Sequence, residues 1–154
     1  MKQYFLKQLA IIAAGLVVAV PAAIAQACHY SEVDPGTGKV SVGDLSIDLG
    51  QGDSGDGQHT PAAWVGPITL THAGGDACSV DPDVSIVERP LYSNGKQLLV
   101  STYSGSEKVL YAVDAATCKV QWKSPSFSGR VKLSGERLQL GKRKVKLGAD
   151  CVPR

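Results

Sequence analysis

The side chains that could do chemistry in this 154-residue chain are few and far apart. Histidine is the side chain best suited to general acid–base work near neutral pH, and there are three: His29, His59 and His72. His59 closes the tract of residues 50–59, GQGDSGDGQH, whose Asp53 and Asp56, with Asp48 just upstream, offer hard oxygen ligands of the kind calcium takes. Their spacing matches no EF-hand loop, which sets acids at alternate positions and a Glu at the twelfth. A nucleophile would need a neighbouring base, yet Ser104-Gly105-Ser106 has none near it in sequence and the chain contains no Gly-x-Ser-x-Gly elbow. The glycine-rich tract is acidic and would repel a phosphate. These residues imply no cofactor and no catalytic constellation, and the tract reads as a solvated loop.

Charge is unevenly distributed although the whole chain carries a formal net charge of only +2. Residues 28–90 hold ten acids against Lys39 and Arg89. Residues 91–154 hold twelve bases against Glu107, Asp114, Glu136 and Asp150. Two such halves either neutralise each other across paired strands or present faces of opposite potential. The run Lys142, Arg143, Lys144 and Lys146 is the densest basic cluster. Export of the chain sets nucleic acid aside as its partner, leaving anionic envelope material such as lipopolysaccharide or a membrane surface.

That export is read from the first residues. Lys2 and Lys7 precede an uncharged apolar run over residues 9–20, followed by Pro21 and small residues, the anatomy of a cleaved secretory signal. The run is shorter than the roughly 20 residues a membrane span needs, so no transmembrane helix is expected in the mature chain. Cleavage after Ala25 leaves a single β domain over residues 26–154. Cleavage after Ala27 would put Cys28 first, where a bacterial lipoprotein is acylated, but Ala25 stands where such a lipid box carries Leu.

In an oxidising compartment the four cysteines, Cys28, Cys78, Cys118 and Cys151, read as two disulfides. A zinc site would need closely spaced pairs, and the nearest two, Cys118 and Cys151, are 33 positions apart. Of three possible connectivities, Cys28 with Cys78 and Cys118 with Cys151 lets each bond close its own half.

Strands must position all of these groups. Residues 96–123 are the organising stretch. Leu98, Val100 and Thr102 alternate with Leu99, Ser101 and Tyr103, and Val109, Tyr111 and Val113 alternate with Leu110 and Ala112, the period of two of a pleated strand. A short polar loop at residues 104–108 joins them. A third run sets Cys118, Val120 and Trp122 on one face and Lys119, Gln121 and Lys123 on the other. Upstream, Gly43-Asp44 makes a tight hairpin between residues 40–42 and 45–47. A strand follows Pro67 through Ile68, Leu70 and His72, and another runs over residues 84–92. Asn94-Gly95 suits a type I′ turn between residues 84–92 and the core stretch. Three short strands, 131–133, 138–140 and 145–147, close the chain. No helical period survives beyond the leader. The expectation is all-β: an antiparallel meander forming a small, disulfide-tied sandwich or barrel.

Residues 112–122, AVDAATCKVQW, resemble the tryptophan-docking segment of quinoprotein-type β-propeller blades, whose pattern is A-x-D-x-x-T-G-x-x-x-W. The resemblance implies that Asp114 and Thr117 shape a turn between two strands and that Trp122 takes the place of the tryptophan that packs between neighbouring blades, with Cys118 in the place of the glycine. One copy in one domain implies a similar hairpin and no quinone site. A Ser-Gly loop among strands is also similar to the inhibitory loop of one class of lysozyme inhibitor, although the next tyrosine here is Tyr111.

Two readings of different class follow. The first is a small periplasmic or secreted binding or inhibitor-type protein, non-catalytic, acting through loops at residues 103–108 and 124–129 on a rigid scaffold. Its candidate contact residues are Tyr103, Ser104, Glu107, Lys108, Phe127, Lys142, Arg143 and Lys144, and its partner is a protein or an anionic envelope component. The alternative is an envelope hydrolase or metal-binding enzyme using His59 with Asp53 and Asp56.

Overall fold

The structure, a computed structural model, describes residues 28–54 and 59–154. The leader and Asp56 therefore lie outside the described residues. In chain order the acidic half supplies β1 (Ser31–Val33), β2 (Lys39–Val42), β3 (Leu45–Asp48), β4 (Gln51–Gly52), β5 (Ala63–Val65), β6 (Thr69–His72) and β7 (Ala77–Ser79). The long strands follow: β8 (Val87–Ser93), β9 (Gln97–Ser104) and β10 (Glu107–Asp114). The chain ends with β11 (Val120–Lys123), β12 (Val131–Ser134), β13 (Arg137–Leu140) and β14 (Arg143–Lys146). All strand pairings are antiparallel.

These strands make three layers, and the all-β, disulfide-tied expectation holds. A seven-stranded sheet, ordered β11-β10-β9-β8-β5-β4 with β1 also on β8, lies between the β2-β3-β6-β7 sheet and the β12-β13-β14 sheet. The alternation along β9 and β10 explains the arrangement. Leu98, Val100, Tyr111 and Val113 enter one core with Leu45, Ile47, Leu70 and Trp64. Leu99, Leu110 and Ala112 point the other way, into a second core with Leu138, Leu140, Val145 and Leu147. A strand apolar on both sides can be satisfied only by a cover on each face. Each leucine so buried contributes about 1.5–3 kcal/mol.

Strand β8 pairs with β9 on one edge and serves two partners on the other because it is interrupted. Pro90 has no N–H to give a ladder, and the register shifts between Glu88 and Leu91. Below the shift Val87 and Glu88 pair with β5, and above it residues 91–93 pair with β1. The strand read over residues 84–92 accordingly begins later, at Val87, since Ile86 sits at φ 56°.

Several expectations are corrected. The disulfides are Cys28–Cys151 and Cys78–Cys118, with Cα–Cα distances of 5.4 and 5.9 Å, and not the half-by-half pairing. The first joins the two ends of the described chain, where the Tyr30 O–H also donates to the Cys151 carbonyl at 2.8 Å. The second stitches β7, in an outer sheet, to the turn before β11. With its sulfur in that bond, Cys28 has no thiol for a lipid.

The third apolar run also divides differently. A β-bulge sets Val113 opposite Val120 but Ala112 opposite Trp122, so Val120 packs in the first core and Trp122 in the second. At Asn94-Gly95 only the glycine has positive φ, 81°, which excludes a type I′ turn. The Asn94 carboxamide oxygen instead accepts the N–H groups of Lys96 and Gln97 at 3.0 and 2.7 Å, holding the three-residue connection between β8 and β9. The loop placed at 104–108 is tighter than expected: Ser104 pairs with Glu107, leaving only Gly105 and Ser106 at the tip. Gly43-Asp44 is a two-residue hairpin as read.

Candidate functional site

Glu107 begins β10 beside the Gly105-Ser106 tip and reaches across to the segment after β11. Its carboxylate accepts the hydroxyls of Ser126 and of Ser128, the latter at 3.1 Å. The main chain fastens the same segment: the Lys108 N–H donates to the Phe127 carbonyl at 2.9 Å, and the Phe127 N–H returns to Lys108 at 3.0 Å. Residues 126–128 thus extend the ladder past the end of β11. Deeper in, the Ser124 hydroxyl accepts the Leu110 N–H at 2.9 Å. A charge-assisted bond to each serine and two backbone bonds make this loop part of the sheet.

Phe127 is the apolar residue at the loop's centre, and it is only 8% exposed, packed in the second core. Its ring anchors the loop from beneath. Against that loop sits the β13–β14 turn, Gly141-Lys142. A Cβ on Gly141 would lie 2.1 Å from the Ser128 carbonyl oxygen, and its φ is +58°, so only glycine allows this approach. Ser126, Phe127, Ser128, Leu140, Lys142 and Arg143 together line a shallow depression of about 500 Å³. Two loops distant in sequence and one basic turn therefore meet at one end of the molecule.

The candidate residues fall into three places. Glu107, Phe127, Lys142 and Arg143 share the depression or its wall, with Ser104 exposed at the neighbouring tip. Tyr103 and Lys108 are half-buried strand residues. The Tyr103 N–H donates to the Ile86 carbonyl at 3.2 Å, and the Lys108 ammonium pairs with Glu88 at 2.5 Å, an ion pair joining the acidic and basic halves. Lys108 faces a second depression, of about 440 Å³, with Glu32, Arg89, Tyr92, Arg130 and Lys132. There burial, and then the Glu32 carboxylate, push the Tyr92 phenol above its ordinary pKa. Lys144 stands apart, opposite Gln139 on the outer face of the β12-β13-β14 sheet.

Sequence reasoning placed Ser126 and Ser128 within a candidate loop without singling them out, and it missed Gly141, which with them fixes the geometry, and Ile86. Ile86 is 37% exposed at positive φ, a costly backbone state for a β-branched residue, beside the strand that ends at the tip. No local signal marks an isoleucine for that conformation.

Asp114, Thr117 and Cys118 build a turn remote from this end. Asp114 Oδ1 accepts the Ala116 and Thr117 N–H groups at 3.1 and 2.8 Å and the Thr117 hydroxyl at 2.8 Å. Cys118 follows at φ 56°, the left-handed state a glycine would adopt freely, and is tied to Cys78.

In the Asp-rich region, Asp53 accepts the Ala62 N–H at 2.9 Å, and Asp48 accepts that of Gly50 and pairs with Lys39 at 3.2 Å. Among the described residues no group of three or more His, Cys, Asp and Glu is placed to hold a metal ion. Nor is any helix there long and apolar enough to cross a membrane.

No curated protein matches the chain. A protein-family model does, that of the immune protein Tsi1, over residues 51–153, from β4 through β14 and so across the tip, the fastened loop and the basic turn. The match spans most of the chain, which belongs to the immune protein Tsi1 family.

Proposed function

We propose that the protein is an exported, non-catalytic immunity protein that neutralises a protein toxin by binding it. The contact surface is the end of the molecule formed by the Gly105-Ser106 tip, residues 126–128 and the Lys142-Arg143 turn. Membership of an immune-protein family supports the protective role and the protein partner. The observation that carries the choice of surface is the Glu107 carboxylate holding Ser126 and Ser128 against the hairpin. A loop ordered before binding loses little conformational entropy on binding, which is how a small surface reaches useful affinity. Two disulfides support a periplasmic or secreted site of action, where such bonds persist. Toxins acting there include hydrolases of the cell wall. The likeness of residues 112–122 to a propeller segment is proposed as a shared turn geometry without a quinone ligand.

The test mixes the exported, disulfide-bonded protein with a panel of muramidases and other cell-wall hydrolases, reading inhibition of lysis and affinity by calorimetry. One member of the panel should be inhibited at stoichiometric concentration. Ser106→Arg and the pair Lys142→Glu with Arg143→Glu should each weaken that complex at least tenfold at unchanged melting temperature. Unchanged affinity in both variants would remove this surface from the interface. Failure to inhibit any hydrolase at micromolar concentration would overturn the reading of its target.

A further inference from the structure

The β12-β13-β14 sheet buries Val131, Leu138, Leu140 and Val145 beneath it. Alternation then dictates what faces outward. The register gives two rows across the three strands: Lys132, Gln139 and Lys144 in one, Ser134, Arg137 and Lys146 in the other. All six residues are exposed. Four of the six are cations, none is an acid, and none is apolar. The nearest acid in sequence, Glu136, lies in the β12–β13 turn.

Arg137 stands directly opposite Lys146. Like charges across an antiparallel pair repel, and an acid at either position would convert the repulsion into attraction. A sheet selected for stability alone would alternate signs here. The sheet keeps the repulsion instead, on a face built on pleat spacings of roughly 5 Å between strands and 7 Å along them.

We propose that this face docks the protein onto a membrane surface bearing anionic phospholipid headgroups. A specific protein interface centres on desolvated aromatic or aliphatic anchors, and this face offers none. Exposed cations at regular spacing on the outer face of a sheet suit a carpet of phosphates, to which each Lys or Arg adds about a fivefold gain in partition. The contact surface for a protein partner, at the turn end of the same sheet, is left free.

The experiment measures co-sedimentation of the exported, disulfide-bonded protein with phosphatidylglycerol-containing and with pure phosphatidylcholine vesicles. Wild type should partition onto the anionic vesicles at low salt, ignore the neutral ones, and be released at about 1 M salt, where screening falls to roughly 3 Å. The pair Lys132→Gln with Lys144→Gln should lose roughly 25-fold in partition. Arg137→Glu should lose as much while melting higher than wild type, a combination that damage to the fold cannot produce. Equal partition onto both vesicles, or variants that partition as wild type does, would overturn the proposal. Absence of vesicle binding, with the same variants losing affinity for an inhibited toxin, would overturn it too and assign the face to the protein partner.

Discussion

Gly141 shows how much of the candidate surface rests on single atoms. Its missing Cβ lets the basic turn lie against the Ser128 carbonyl, and its positive φ would be strained in any other residue. Gly141→Ala should cost about 1–3 kcal/mol in denaturant unfolding, since backbone has to move on both sides of the contact. Glu107→Gln keeps the side chain's shape but removes the charge shared by two serine hydroxyls. Residues 126–128 should then exchange their amide hydrogens faster while the global midpoint barely moves, read by hydrogen exchange. Tyr30 carries a pH signature at the opposite end of the molecule. Burial, helped by the Asp150 carboxylate, raises its phenol pKa far above the ordinary value of 10.0. A raised pKa stabilises the fold fully at pH values below the free phenol's, and that contribution is lost as the pH climbs above it. The urea midpoint should therefore fall between pH 9 and 11, and fall less in Tyr30→Phe.

At the scale of elements, interruption matters as much as regularity. Pro90 and the register shift divide β8 between β5 and β1, and the bulge opposite Ala112 sends Val120 and Trp122 into different cores. The first lets one strand pair with two neighbours along one edge, and the second lets one edge strand contribute to both cores. The β7-to-β11 stitch holds an outer sheet to the central one across a separation of 40 residues. Replacing Cys78 and Cys118 together by Ser should cost about 2–5 kcal/mol in reversible unfolding, because the cross-link restricts the unfolded chain. Leu138 is fully buried at the middle of the β12-β13-β14 sheet. Leu138→Ala should cost about 2–5 kcal/mol and loosen that sheet first.

For the whole molecule, the segregation of charge noted along the chain becomes a segregation in space. Lys39–Asp48 and Arg89–Asp34 pair within the acidic half, and Arg154–Asp150 within the basic half. Glu88–Lys108 bridges the two halves. Among the described residues, Lys132, Arg137, Lys144 and Lys146 form no ion pair, which leaves the cationic outer sheet available to an outside anion. Arg137→Glu should stabilise the protein by about 0.2–1 kcal/mol through its new pairing with Lys146, measured by thermal unfolding at low salt. The bond between Cys28 and Cys151, 123 positions apart, closes the described chain nearly end to end, so its reduction should lower the unfolding midpoint more than any surface substitution.

The sequence by itself determined what depends on near neighbours. The period of two in residues 97–104 and 107–114 specified the central hairpin and its two apolar faces. Gly43-Asp44 set a two-residue turn, and Asp114 with Thr117 set another through bonds spanning three residues. The uneven charge could be counted directly. Only the tertiary structure decided which cysteines bond, because four thiols allow three pairings and the choice depends on which strands become neighbours across layers. The same holds for the meeting of residues 126–128 with Glu107 and Gly141, for the burial of Phe127, and for the division of the basic run into a turn and an outer face. Each is a contact between segments whose approach is set by covering a doubly apolar sheet on both sides, and no local pattern encodes that approach.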